Sequence, residues 1–468
     1  MLFLSSPAIF AQDSDFSSGF RGGFDSGFDS SSGTEANSTD AAGDAGGPSS
    51  GFGLGTDFAP SATALEWKGF VETALRGYLD YSDPAAGTLD HYPVLGLDLN
   101  YRGENSDVVA ELRFSRNWSF DTPVNTPVDS QDTDPQNISW YLQRMINQAY
   151  IRLYYDRFNL QTGYLKEVWG TGDQAHVVDV INPMDYYDFV NIDYLDRKVS
   201  EFMVKMNVPL GLNGLLELVY VPTFTPDSSP LTGKWVPVET RELMETAETY
   251  SAYIHYPSDM NSLADGQYAA RLSGNLGSID LAGTYYYGYL RSPGVQIVGF
   301  PPTADIYLTY DRYHLFGLDF AAVIAGFNLR GEAAYYLTED FEGEDETRLN
   351  NHSIQYVAGF DRNLPLSELN LNIQSIGAYY IHEDDDPDYH IVSAALKDSW
   401  NNDRVSPQVS LSYHVDEGDL MLRPKITFTL TDDAELTTEY ALFHGDAAGL
   451  FGHFDDNDYL QVSLHYAF

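Results

Sequence analysis

Cysteine is missing from all 468 residues. Its absence excludes disulfides, thiolate metal sites and a thiol nucleophile, and is compatible with an oxidising envelope compartment. Long apolar runs are missing too. The best internal stretch, residues 315–329, is broken by Asp319 and flanked by charges, so no helix of the ~20 apolar residues that a bilayer requires is expected. Basic residues are few, 25 Lys and Arg against 69 Asp and Glu, for a formal charge of −44. A nucleic-acid binder must neutralise phosphates, so that class of partner is set aside. What the chain has instead is 43% hydrophobic and 14% aromatic residues, with Tyr and Phe far outnumbering Trp, which rules out disorder of the whole. A mean hydropathy of −0.29 results when lipid-facing apolar residues alternate with polar ones.

Residues 1–11 form an apolar segment closing on small residues such as Ala8 and Ala11, as the remnant of a secretory signal does. The first basic residue is Arg21, so the charged part of such a signal is expected upstream of Met1. A short core strand is the alternative. Residues 12–60 are mainly Gly, Ser, Asp, Ala and Phe, with an imperfect repeat from Phe16 to Phe20 and from Phe24 to Phe28. That composition predicts a disordered tail, serving as a periplasmic leader or, through its Phe residues, as a plug or cell-wall contact.

From residue 65 to 468 the pattern is one of period two. Trp67, Val71, Thr73, Leu75, Leu79 and Tyr81 share one face while Glu66, Lys68, Glu72, Arg76 and Asp80 share the other. The same split recurs in Ala110, Leu112 and Phe114 against Glu111 and Arg113, and in Ala149, Ile151, Leu153 and Tyr155 against Gln148, Tyr150 and Arg152. Phe202, Val204, Met206 and Val208 oppose Glu201, Lys205 and Asn207, and Leu422, Ile426, Phe428 and Leu430 oppose Arg423, Lys425 and Thr427. One face suits lipid and the other water. Soluble sandwiches alternate as well, so loop lengths decide. Tight connections at residues 102–106, 156–159, 210–214, 276–278, 325–327 and 431–434 alternate with long polar ones at 117–145, 169–196, 224–265 and 444–456. Short turns on one side and long loops on the other describe an all-β, antiparallel, up-and-down transmembrane barrel of the bacterial outer membrane. About 18 strands are expected, with 16 as the alternative count. Residues 389–400 are read as a strand and residues 295–309 as loop. A barrel of this size is wider than its inward side chains fill, so it encloses a lumen.

The last strand alternates through the final residue: Leu460, Val462, Leu464, Tyr466 and Phe468 on one face, Gln461, Ser463, His465 and Ala467 on the other. This resembles the carboxyl-terminal signal by which the barrel-assembly machinery recognises its precursors, and β-augmentation supplies the physics, with backbone pairing for affinity and alternate side chains for specificity. An ordinary edge strand of a secreted β protein is the bland alternative.

A strand expected over residues 159–168 is followed by Trp169, Gly170, Gly172 and Asp173, then by Asp179, Asn182, Pro183 and Asp185, then by Arg197 and Lys198, which are read as opening the next strand. The run resembles the Trp-Gly and Asn-Pro-x-Asp signature of a porin-like outer-membrane family related to alginate-export barrels. Ser406, Pro407, Arg423, Pro424, Gly452 and Phe468 resemble that family's closing strands. The acidic loops and the tail lie outside the resemblance, so the solute is not carried over. Physically, Asn182-Pro183 favours a turn, the glycines permit unusual backbone angles, and the aspartates cap nearby amides. Residues 169–196 are therefore expected to fold into the pore and narrow it, with Asp173, Asp179 and Asp185 lining the gap and Arg197 pairing with one of them. A rim-packed stabilising loop is the alternative.

Nine basic residues fall at expected lumen positions: Lys68, Arg76, Arg113, Arg152, Lys205, Arg271, Arg330, Arg423 and Lys425. Rings of Arg and Lys select anions, and the resembling family is associated with acidic polysaccharides. Glu72, Asp98, Glu111, Glu201 and Glu332 point the same way, however, and internal ion pairs that rigidify the wall are the favoured reading. Acidic runs at residues 342–346, 382–388 and 454–458 lack the spacing and central Gly of a calcium loop, the 11 His show no metal-ligand spacing, and no Gly-x-Ser-x-Gly signature or partnered loop His points to hydrolysis. No catalytic residue, metal or cofactor is expected. A channel for passive or facilitated diffusion of small solutes, anionic ones included, is the leading function. The competing one is a surface adhesin or structural barrel working through the acidic loops.

Overall fold

The computed structural model describes residues 64–79, 89–115, 118–119, 145–173, 175–186, 194–211, 213–230, 233–250, 252–255, 260, 263–299, 305–338, 352–381 and 388–468. The expectations for residues 1–11 and 12–60, and for the acidic runs at 342–346 and 382–387, lie outside these.

Alternating sequences form extended pairs, and here the pairs close on themselves. The main sheet has 19 strands, one of them the two-residue Trp118–Ser119, which pairs only with β2. The other 18 make a ring of antiparallel neighbours in sequence order: β1 Ala64–Tyr78, β2 Leu89–Arg102, β3 Ser106–Ser115, β4 Ile146–Tyr155, β5 Phe158–Leu165, β6 Glu201–Leu210, β7 Gly214–Val221, β8 Gln267–Leu276, β9 Ile279–Tyr289, β10 Arg312–Ile324, β11 Phe327–Thr338, β12 Ser353–Asn363, β13 Asn370–Tyr380, β14 Tyr389–Lys397, β15 Val405–His414, β16 Leu420–Thr431, β17 Ala434–His444 and β18 Tyr459–Ala467. Closure is made by β18 on β1, from Phe70 opposite Ala467 to Tyr78 opposite Tyr459. Reciprocal backbone bonds between Gly69 and Phe468, 2.9 and 2.8 Å, extend it to the terminal residue. Among the described residues the ring leaves no strand edge open to lipid, as that environment demands.

The apolar face points outward throughout. Trp67, Val71, Leu75, Phe114, Ile151, Phe202, Leu318, Ile426, Phe428, Leu430, Leu460, Val462, Leu464 and Tyr466 are all exposed. In water such a belt would be an aggregation surface, whereas against acyl chains it is the stabilising one. Tight turns gather at the end where Phe468 lies. Residues 325–326 make one of the two-residue turns, with φ of 54° at Ala325 and 79° at Gly326, the left-handed pair that a type I′ hairpin requires.

Four local expectations need correction. The strand expected over residues 389–400 ends at Lys397, and Trp400 bridges back to Val405 in the turn. Residues 295–309 are not irregular: Gly294–Val298 and Asp305–Thr309 pair with each other and with Tyr253–His255 in a small sheet separate from the wall. There Ile306 and Leu308 pack on Leu243 and Ala247 of the helix Val238–Tyr250. The strand read over 159–168 stops at Leu165, because Lys166 to Val168 turn into the lumen. Arg197 and Lys198 do not open β6. Arg197 ends the short helix Tyr194–Arg197, and Lys198 bridges to Met184 before the strand begins at Glu201.

Candidate functional site

Strand length places the site. β5 and β7 have 8 residues each, against 14 in β2, so the chain leaves the wall well below the rim at both points and its next segment enters the lumen. Residues 166–200 cross to the far side. Glu332, inward on β11 and 4% exposed, accepts from the backbone N–H groups of Thr171 and Gly172 (2.7 Å each), Val177 (2.8 Å) and Val178 (3.3 Å), and lies 2.9 Å from His176 Nδ1. A run of amides converging on one carboxylate is an anion nest. Its geometry explains a glycine: Gly170 has φ 108°, and a Cβ there would lie 2.2 Å from Glu332 Oε1. Beyond it Asp173 forms an ion pair with Arg330 of β11 and accepts from Asn372 Nδ2 of β13 at 2.7 Å. Tyr336 donates to the Val177 carbonyl at 3.0 Å. Trp169, Val177, Val178 and Ile181 join Leu315, Ala334, Val357, Ile376 and Ala378 of β10 to β13 in one apolar cluster.

The near side is stapled as firmly. Asn182 donates to the carbonyls of Leu165 and Val199 (2.8 and 3.0 Å) and accepts from Glu167 N–H at 2.7 Å, tying strand exit to strand entry. Asp179 is wholly buried, held by Lys198 Nζ at 2.5 Å and by the Tyr194 hydroxyl at 2.7 Å. Burial pulls the Lys198 ammonium below its ordinary value, with Asp179 opposing. Asp179 thus braces the loop instead of facing the gap. The carboxylates of Asp173 and Asp179 are met by Arg330 and Lys198, while Arg197, fully buried, ends the helix with its guanidinium over the Tyr194 ring at 5.9 Å and its carbonyl accepting from the Asp185 N–H at 2.7 Å. Asp185 accepts from Ser228 Oγ at 3.2 Å.

That last contact belongs to a second crossing loop, residues 222–266. Met184 and Ser228 exchange backbone bonds with their neighbours: Ser228 N–H to the Met184 carbonyl at 2.9 Å, Tyr186 N–H to the Ser228 carbonyl at 2.7 Å, and Met184 N–H to Asp227 Oδ1 at 2.7 Å. Burial pushes the Asp227 carboxyl up to about 6, against the pull of Arg291. The loop then runs to the opposite wall, where Trp235 lies between Tyr78, Phe443, Phe454 and Tyr459, with ring centroids 5.4 to 6.3 Å apart. Lys234 sits 3.5 Å from Asp90 and 4.1 Å over the Tyr78 ring. Residues 454–458, an acidic run without calcium-loop spacing, help hold this end: Asp458 accepts from Phe443 N–H at 2.8 Å, and Asn457 donates to the Lys234 carbonyl at 2.7 Å.

Arg291 knots the two loops together. Its guanidinium donates to the carbonyls of Val180 and Ile181 in the first loop and Thr225 in the second, and pairs with Glu201 at 2.9 Å. Replacing it with Gln strands a buried Glu201 and removes the shared donor. The expected loss is about 3–5 kcal/mol of folded-state stability, read as a lower denaturant midpoint for the refolded barrel. An unchanged midpoint would show the knot to be energetically idle. Arg291, His176 and Trp235 carry no local sequence signal, since each acts on residues far away along the chain.

Polar partners meet the expected lumen cations along the wall. Arg113 meets Asp98 (2.5 Å), Lys205 meets Glu167 and Glu217 (2.5 and 2.8 Å), Arg271 meets Asp319 (2.9 Å), Arg330 meets Asp173 and Asp361, and Arg423 meets Glu439 (2.6 Å). Arg76 donates to Gln461 and lies 4.6 Å over the rings of Tyr92 and Tyr459, and Arg152 reaches the hydroxyls of Tyr150 and Tyr154. Lys68 stands in register with Asp98 and Lys425 with Glu439.

No protein-family model and no curated protein sequence matches the chain. Among solved structures it is similar to OccAB2 of Acinetobacter baumannii (TM-score 0.50, 10% identity, 86% of this chain and 98% of that one). It is also similar to OccK11 (OpdR) of Pseudomonas aeruginosa (0.47, 11%, 86% and 95%) and to the outer membrane channel DcaP of A. baumannii (0.36, 10%, 87% and 97%). At these identities the likeness is one of fold, and the fold is a closed, 18-stranded, outer-membrane-type barrel whose lumen two of its own loops cross.

Proposed function

We propose that the chain is a porin-like channel of the bacterial outer membrane, passing small solutes by passive or facilitated diffusion through a lumen narrowed by residues 166–200 and 222–266. The observation that carries this reading is the docking of the first loop on Glu332, across the lumen from the strands it connects. A barrel of 18 strands is wide enough to leave an aqueous passage, and a structural barrel has no use for a loop buried at that depth. The inward course of both loops favours a channel over an adhesin, which needs its loops outside. The alternating end of β18 supports handling by the barrel-assembly machinery, and the reading is of a transporter, not an enzyme.

Anion selection by a cationic ladder requires unneutralised positive charge. The pairing of Arg113, Lys205, Arg271, Arg330 and Arg423 with carboxylates favours a passage that sorts by size before charge. The likeness of the 169–185 motif to alginate-export barrels supports including uronates among the solutes tried. In planar bilayers under a salt gradient the expected reversal potential is close to zero or weakly cation-selective, and strong anion preference would overturn the size-first reading. Liposome swelling with sugars, amino acids and uronates ranks the solutes. Absence of any conductance would remove the channel altogether.

A further inference from the structure

The lumen architecture makes no use of a side-chain cluster at the outer end of β15 and β16. His414 is the last residue of β15, Asp419 immediately precedes β16, and Glu417 lies in the turn between them. His414 Nδ1 is 3.3 Å from Asp419 Oδ1 and 3.3 Å from Glu417 Oε2. The His414 side chain is 7% exposed and that of Asp419 not at all, yet both ring nitrogens of His414 and Oδ1 of Asp419 lack a hydrogen bond. Buried polar atoms facing one another at that distance without hydrogen-bond geometry are costly unless something is held between them. Ligands at ~2.0–2.1 Å from a tetrahedral zinc ion stand ~3.3 Å apart along the edges of the tetrahedron.

The surroundings are arranged as around a metal ligand. Asp419 Oδ2 accepts from the backbone N–H groups of Phe451 and Gly452 at 2.5 and 3.1 Å, fixing the carboxylate so that Oδ1 turns to His414, the part that outer hydrogen bonds play for a ligating carboxylate. The covering loop approaches only because it carries glycine: a Cβ on Gly449 would lie 2.6 Å from Asp419 Oδ2 and 3.0 Å from Glu417 Oε2. Glu417 is 44% exposed, leaving one side open to solvent.

We propose that His414, Glu417 and Asp419 bind one divalent transition-metal cation on the extracellular rim, zinc by ligand type, with the fourth position open. One imidazole and two carboxylates suit zinc better than calcium, which takes six to eight oxygen ligands. The ion would brace the 414–419 hairpin, whose Asp419 Oδ2 in turn holds the Phe451 and Gly452 amides of the loop that delivers Phe451 and Phe454 to the cluster around Trp235.

The full chain, folded in detergent and stripped with chelator, is titrated with zinc by calorimetry and with cobalt(II) by absorption. One equivalent of tight zinc and the intense ligand-field bands of tetrahedral cobalt are expected. Both should be lost in His414→Ala and the cobalt bands in Glu417→Gln, whose exposed site keeps folding out of the comparison. No zinc uptake by the native chain overturns the proposal and leaves a protonated imidazole between two carboxylates. Cobalt bands unchanged in Glu417→Gln also overturn it, and assign the binding to other acids.

Discussion

Deleting residues 171–188 raises single-channel conductance severalfold, with the barrel still assembling. The deletion removes the segment that lies against Glu332, Arg330 and Asn372 on the far wall and leaves the β5–β6 pairing, from Asn159 to Leu165, in place. Conductance follows the narrowest cross-section, and a lumen of 18 strands is wide without a filling loop. Heat-modifiable migration on gels verifies folding, and planar-bilayer recording measures the step size. Steps of unchanged size would place the constriction elsewhere and reduce the loop to a brace.

A single substitution, Glu332→Ala, acts on the same loop without shortening it. The carboxylate accepts from the amides of Thr171, Gly172, Val177 and Val178 and from His176, and an Ala takes away the acceptor from all of them, the Val177 and Val178 amides being buried. The expected weakening of docking is about 3–5 kcal/mol, and for Glu332→Gln, which keeps the shape and loses the charge, about 1.5–3 kcal/mol. Both should appear as frequent transitions between conductance levels and as new protease cleavage within residues 166–200, with Ala the stronger. Quiet channels in both variants would sink the latch. The native latch also carries a pH signature. Burial pulls the His176 imidazole down, but the Glu332 carboxylate outweighs it and leaves His176 above its ordinary value. A base raised in the folded state stabilises fully below its ordinary value of 6.5 and loses that contribution as pH rises through the raised one. Channel noise should therefore increase on the alkaline side, and His176→Gln should remove the dependence.

Strand positions were legible because a barrel obeys a local rule. Each of Leu460, Val462, Leu464 and Tyr466 declares its side by its immediate neighbours, and a lipid-facing wall allows few exceptions. Loop lengths told outside from periplasm for the same reason. The site was legible only in part. The glycines and Asn182 announced an ordered loop, but its destination depends on Glu332, 161 residues away from Thr171, which sequence shows only as one more inward acid. Arg291 and Trp235 act at similar range, across 110 residues to Ile181 and from the second loop to Phe443 and Tyr459. That Lys198 would meet Asp179 was hidden as well, since adjacent Arg197 offers the same charge to the same loop.

Closure of β18 on β1 also dictates a sequence of events. The seam joins Gly69 to Phe468, so it cannot form until β18 has reached β1. The walls that receive residues 166–200 belong to β11 and β13, far along the chain from the loop itself. The loop must therefore be seated on strands remote from its own before the seam zips. A loop left on the wrong side at that moment is locked out by a ring with no edge to reopen. Folding of this chain is thus a packing problem with a deadline, and substitutions such as Glu332→Ala that weaken the berth are expected to raise the fraction of barrels closed with an empty lumen.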